Sequence, residues 1–206
     1  MDNQIELYDE LIKIISNFLI FDMKNEPYLI CFEGPDSTGK TCLIEKIFIY
    51  FKEFISEEKI KHIKFPSKDF NIKYKQLIID DGYNKLEQNI ELFKKFEDDQ
   101  DNFIFNNDVI YFIDRYKLSS KVYSQLRGIS EKEYNEYIDK KNIIYPNIYI
   151  ILLKRYKKKI IDENDKEESF LKQFIQYNIE IKHLISKSLY SIIKISNDIC
   201  ILKKNN

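Results

Sequence analysis

Tyr28-Leu29-Ile30-Cys31-Phe32-Glu33-Gly34-Pro35-Asp36-Ser37-Thr38-Gly39-Lys40-Thr41 runs from a continuous apolar stretch into a loop that closes on Gly-Lys-Thr. An apolar run of this length without alternation suits a strand buried on both faces of a parallel sheet. Residues 34–41 satisfy G-x-x-x-x-G-K-[ST], a phosphate-binding loop. In such a loop the glycines let backbone N–H groups approach a β-phosphate, and Lys40 reaches the β- and γ-phosphates. Thr41 offers a hydroxyl to Mg²⁺, and the following helix adds its N-terminal dipole. Gly34, Pro35, Asp36, Ser37, Thr38, Gly39, Lys40 and Thr41 are therefore expected to hold ATP. The chain has only 4 glycines in 206 residues, so two of them in one loop weigh heavily.

Outward from the loop, apolar runs alternate with stretches of helical period. A helix is expected from about Thr41 to Ile55, then a strand Ile60–Phe65 that stops at Pro66. Residues 69–100 read as mostly helical, broken near Gly82. Val109–Ile113 is another buried-strand run and ends in Asp114-Arg115-Tyr116. Helices follow at about 117–126 and 130–140, a strand at 148–153, a charged stretch at 154–168, a helix at about 169–188 and a last strand at 191–195. This alternation predicts an α/β fold, a three-layer αβα phosphate-loop domain around a mostly parallel sheet of about five strands. No repeat or Pro/Ser linker interrupts residues 1–206, so they read as one domain.

Residues 1–25 read as an amphipathic helical extension, with Ile5, Tyr8, Leu11, Ile12, Ile15, Phe18 and Leu19 at helical spacing. Asp2, Glu6, Asp9 and Glu10 stand where a secretory leader needs positive charge, and Lys13 interrupts the apolar run. The stretch is also too charged to span a bilayer. Its expected role is to pack on the domain.

Lys and Arg total 33 against 34 Asp and Glu, a net charge of −1, which argues against a nucleic-acid partner. Cys31, Cys42 and Cys200 form no CxxC pair, which points to a reducing, cytoplasmic compartment. With 2 histidines, a Cys/His zinc site is not expected. Asp114, at the carboxyl end of a strand, can hold Mg²⁺ together with Thr41. Arg115 beside it can bridge a transferring phosphoryl group. Lys40, Arg115 and Asp114 are the candidate catalytic residues.

Phe32-Glu33-Gly34-Pro35-Asp36-Ser37-Thr38-Gly39-Lys40-Thr41, Phe65-Pro66-Ser67-Lys68 and Asp114-Arg115-Tyr116-Lys117-Leu118-Ser119 resemble the signatures of thymidylate kinases. They occur in that family's order, each at the end of an expected strand. The resemblance implies transfer of the γ-phosphoryl group of MgATP to a deoxynucleoside monophosphate, dTMP becoming dTDP. It implies that Asp36 accepts a hydrogen bond from the acceptor's 3′-hydroxyl, that Phe65 belongs to the acceptor site, and that Lys68 holds the acceptor phosphate. Phe93 would stack on the base. Arg115, and Ser119 and Tyr123 on the helix after it, would belong to the substrate site, Tyr123 disfavouring a ribose 2′-hydroxyl. A homodimer is also implied.

The sequence departs from the family at several points. Glu97 stands where the family has an arginine that donates to thymine, and an acceptor there suits an exocyclic amine instead. Lys68 replaces an arginine, keeping charge without the bidentate fork. Ser37 is not basic; Lys154, Arg155, Lys157, Lys158 and Lys159, in a candidate lid at 154–168, are open to two readings, as lid charges or as a solvated helix face. Two other readings stay open: an ATP-binding module without turnover, and a deoxynucleoside kinase using Asp36 or Glu33 as base.

Overall fold

In the computed structural model, residues 2–21, 26–74, 85–141, 144–154 and 164–205 are described. Six strands form one sheet: β1 (Tyr28–Glu33), β2 (Ile60–Lys64), β3 (Ile110–Asp114), β4 (Ile148–Leu152), β5 (Tyr190–Ile195) and β6 (Ile199–Lys204). The strand order is β2-β3-β1-β4-β6-β5. β2, β3, β1 and β4 run parallel, and β6 is antiparallel to both β4 and β5.

The helices are α1 (Asp2–Phe21), α2 (Lys40–Lys52), α3 (Lys68–Lys73), α4 (Leu86–Asp101), α5 (Lys117–Leu126), α6 (Glu131–Ile138) and α7 (Asn164–Ser186). They cover both sheet faces because side chains alternate along each strand. Ile30 and Phe32 of β1 join Ile44 and Ile47 of α2 and Leu11 and Ile15 of α1 in one core cluster. Leu29 and Cys31 join Leu118 and Val122 of α5 and Tyr177 and Ile181 of α7 in the other. A strand buried on both sides needs this unbroken apolar run, and β1, β3 and β4 all have it. No described helix is long and apolar enough to cross a membrane.

Among the described residues the sheet has six strands, where about five are expected. The expected last strand, observed at residues 190–195, is an edge strand exposed at most of its positions and does not neighbour β4. That place belongs to β6, whose first four residues are buried. Ser196–Asp198 make the turn between them, and the Asp198 carbonyl accepts from Leu153 N at 2.9 Å. The turn thus lies at the carboxyl end of β4, beside the phosphate loop's end of the sheet. Gly82 lies outside the described residues.

β1 leads directly into the loop, and Gly34 makes that exit possible. Its φ is 129°, and an added Cβ would collide with the backbone carbonyl oxygen of Leu152 on β4. Gly39 serves differently. It caps α2 in the left-handed region at φ 83°, with open space around it. Gly34→Ala is therefore expected to cost about 3 kcal/mol or more, since strain adds to a backbone clash, and Gly39→Ala about 1–2 kcal/mol from strain alone. Urea unfolding of the two variants checks this; equal losses would remove the close-approach argument.

Candidate active site

The loop after β1, the ends of β2 and β3, and the starts of α2 and α5 meet at the carboxyl edge of the parallel strands, the usual place for a ligand in such sheets. Lys40, the first residue of α2, is almost completely buried. Its ammonium donates to the carbonyls of Gly34 at 2.9 Å and Pro35 at 2.7 Å, and to Thr38 Oγ1 at 3.2 Å. Burial, then the Arg115 guanidinium, push its pKa down to about 7. Thr41 Oγ1 donates to Asp114 Oδ2 at 2.6 Å, so the two expected metal ligands are together. Both are hard oxygen donors, and no cluster of three or more His, Cys, Asp or Glu suited to a metal occurs among the described residues. A hydroxyl and one carboxylate fit Mg²⁺, which takes its remaining ligands from phosphates and water.

Arg115 follows β3 at φ 70°, a left-handed conformation unusual for a side-chain-bearing residue. Its backbone N–H donates to Phe32 O at 3.0 Å, which ties it to β1. Nη1 donates to Tyr123 OH at 3.0 Å, Nη2 bonds Asp36 Oδ1, and the guanidinium lies 5.1 Å from the Tyr123 ring centroid. Burial opposes ionisation of Asp36, but Arg115 and Lys40 outweigh it and hold the carboxyl below its ordinary range.

Two cavities adjoin here. One, of about 330 Å³, is lined by Ser37, Gly39, Lys40, Thr41, Lys64 and Asp114 among others. The other, of about 290 Å³, is walled by Phe70, Phe93, Phe96, Ser119, Tyr123 and Arg127 among others. Asp36 and Arg115 line both. Each volume suits part of a small ligand rather than a macromolecule.

Some expected site residues sit elsewhere. Phe65 lies in the core against Tyr116, ring centroids 5.8 Å apart, and Pro66 lines the cavity in its place. Lys68 is exposed and is not among the lining residues. Its helix is pinned by Ser67, whose N–H and hydroxyl donate to Asp99 at 2.8 and 2.6 Å, and from this helix Phe70 and Asn71 line the cavity. Phe93 does line the cavity, with its ring 5.2 Å from that of Tyr134. Glu97 is wholly buried behind the wall, accepting from Lys117 at 2.7 Å and from Ser120. It is therefore not the acceptor at a base edge that the sequence suggests. Of the lid candidates, Lys154 pairs with Asp198 at 3.2 Å, and Arg155, Lys157, Lys158 and Lys159 lie outside the described residues.

Glu33 and Gln173 have positioning roles that the sequence does not announce. Glu33, fully buried at the end of β1, accepts from Tyr116 N at 2.8 Å and Ser119 N at 3.3 Å, and also from the Ser119 hydroxyl. It thus fixes the start of α5, and through it Arg115 and Tyr123. Gln173 on α7 receives Asp36 N–H at 2.7 Å and Tyr123 OH at 3.1 Å, and donates to Asp36 Oδ2 at 3.1 Å. The one available signal is the helical spacing of Gln173 and Tyr177, a polar pair on the face of α7 that turns inward.

Burial pushes the Glu33 carboxyl from 4.5 up to about 7, despite the hydrogen bonds from Ser119 and Tyr116. Between those values the folded chain holds a proton that the unfolded chain releases. This contribution to stability is complete below pH 4.5 and lost as pH rises through about 7. The loss is of order 3 kcal/mol, from about 1.4 kcal/mol per pH unit. Glu33→Gln, which does not titrate, is expected to flatten the stability profile between pH 5 and 7 in urea titrations. An unchanged slope would contradict a buried, protonated Glu33.

No family model and no curated protein matches the sequence. A solved structure, thymidylate kinase from Ehrlichia chaffeensis, shares the fold with a TM-score of 0.59 at 19% identity, over 78% of this chain and 89% of that one.

Proposed function

We propose that the protein is a nucleotide kinase that transfers the γ-phosphoryl group of MgATP to a deoxynucleoside monophosphate, with dTMP the first candidate. The observation that carries this reading is the pair of adjoining cavities sharing Asp36 and Arg115. The loop side offers buried cationic and backbone groups for a polyphosphate. The aromatic side offers Phe93 and Phe96 for a base, with Tyr123 toward the sugar. Arg115 at their boundary is in reach of a group passing between them.

An acceptor phosphate is already an anionic nucleophile, so positioning and charge neutralisation suffice. Lys40 and Arg115 offset charge on the transferred group, and Asp36 accepts from the acceptor sugar. Mg²⁺ held by Thr41 and Asp114 would supply further charge neutralisation on phosphate oxygens. The engagement of Glu33 with the start of α5 weighs against its use as a base for a nucleoside hydroxyl. With Glu97 turned inward, the base edge would meet Ser120, Ser124 and Arg127. The enzyme is expected to work on small nucleotides, as a soluble protein in a reducing compartment. A dimer is expected from the family resemblance.

The test is ADP formation from MgATP across a panel of nucleosides and nucleoside monophosphates. Turnover on deoxynucleoside monophosphates is expected. Turnover on nucleosides alone makes the protein a nucleoside kinase, and ATP binding without turnover on any acceptor makes it a binding module.

A further inference from the structure

Lys64 ends β2 and plays no part in the reading above. Its side chain is half exposed, yet its ammonium lies 3.4 Å from Asp114 Oδ2 and 3.4 Å from Thr41 Oγ1. These are the two oxygens that the loop and β3 bring together at 2.6 Å, and Lys64 lines the cavity they share. The strand pairing sets this contact: Lys64 and Asp114 are register partners at the carboxyl ends of adjacent parallel strands. A positive charge on one strand end therefore faces the carboxylate on the other, beside the two oxygens of the expected metal-ligand pair.

We infer that Lys64 is a built-in counter-cation of the metal-ligand pair, whose ammonium competes with a divalent, oxygen-seeking cation for Asp114 and Thr41. The inference rests on the nucleotide-kinase reading of the site. A like charge so close opposes entry of a second cation. A lysine stem is flexible and its head strongly hydrated, so the ammonium can leave the carboxylate for a polyphosphate. Metal alone then binds weakly, while metal entering with nucleotide gives Lys64 a new anionic partner. The device makes loading of metal and nucleotide mutually dependent.

The experiment titrates the intact chain with Mn²⁺ alone, followed by electron paramagnetic resonance. Lys64→Ala is expected to bind Mn²⁺ about tenfold more tightly than wild type. Lys64→Arg, which keeps the charge, is expected to stay near wild type. Adding Asp114→Asn to Lys64→Ala is expected to abolish the gain, which places the ion at this carboxylate. Mn²⁺ affinity unchanged or weakened in Lys64→Ala overturns the inference, as does a gain that survives Asp114→Asn. Calorimetric titration of wild type with ATP in excess Mg²⁺ tests the broader reading separately. Absence of ATP binding there refutes nucleotide use by the site. ATP binding with no Mn²⁺ gain in Lys64→Ala refutes the role of Lys64 alone.

Discussion

Arg115→Ala is expected to lower kcat for transfer from MgATP to dTMP by about a thousandfold, the scale at which an arginine supports a phosphoryl group in transit. The structure ties this residue directly to three elements and through Tyr123 to a fourth. Its backbone is bonded to β1, its guanidinium to Asp36 of the loop, and its Nη1 to Tyr123 of α5, which in turn bonds Gln173 of α7. Its left-handed backbone is the kind of strained conformation that surrounding contacts must hold in place. Losing the side chain also removes one of the two side chains that hold the Asp36 carboxylate, leaving Gln173, so KM for the acceptor should rise as well. Arg115→Lys retains charge without the planar fork and is expected to fall between the two. Steady-state ADP formation checks both variants. A rate within about threefold of wild type in Arg115→Ala would remove it from the phosphoryl path.

Lys40→Ala is expected to leave no measurable turnover and to weaken ATP binding at least tenfold, as read by calorimetric titration. Here two effects add. The ammonium is the buried cation of the loop cavity, and it also braces the loop by bonding Gly34, Pro35 and Thr38. Lys40→Met keeps the stem and part of the packing, so it separates charge from bracing. If the charge matters most, Lys40→Met should lose activity as fully as Lys40→Ala while melting closer to wild type. ATP affinity and turnover near wild type in Lys40→Ala would contradict the assignment of the loop.

The loop and its two flanking elements were legible because each residue type there answers a strict backbone or charge requirement. Gly34 has no room for a Cβ, Gly39 must be left-handed, and Thr41 in the first turn of α2 meets Asp114 at the end of β3. The unbroken apolar runs of β1, β3 and β4 likewise left little choice of layer. Ile199-Cys200-Ile201-Leu202 carries the same signature, and reading it as a strand would have given the sixth. Its position beside β4 is less legible, since a hairpin can add its strands in either order, and only packing decides which one is buried.

The acceptor side was harder. Lys68 and Phe65 follow a motif by position, but whether a residue faces a cavity depends on how a short helix is anchored. Here that anchor is Asp99 on α4, far away in sequence. Glu97 illustrates the same limit. Its partners Lys117 and Ser120 come from α5, and nothing local foretells that they will neutralise it. Burial raises its pKa and Lys117 opposes that rise, so it belongs to a structural network rather than to a base edge. Gln173 was invisible because its importance comes from a partner in the loop at the other end of the chain.

The most direct test of the account is ³¹P nuclear magnetic resonance of the purified protein with MgATP and dTMP. The account predicts the dTMP signal giving way to the paired resonances of a nucleoside diphosphate, with ADP appearing in equal amount and little free phosphate. ATP consumed to ADP and inorganic phosphate with dTMP intact, or no change in any signal at high protein concentration, would contradict it.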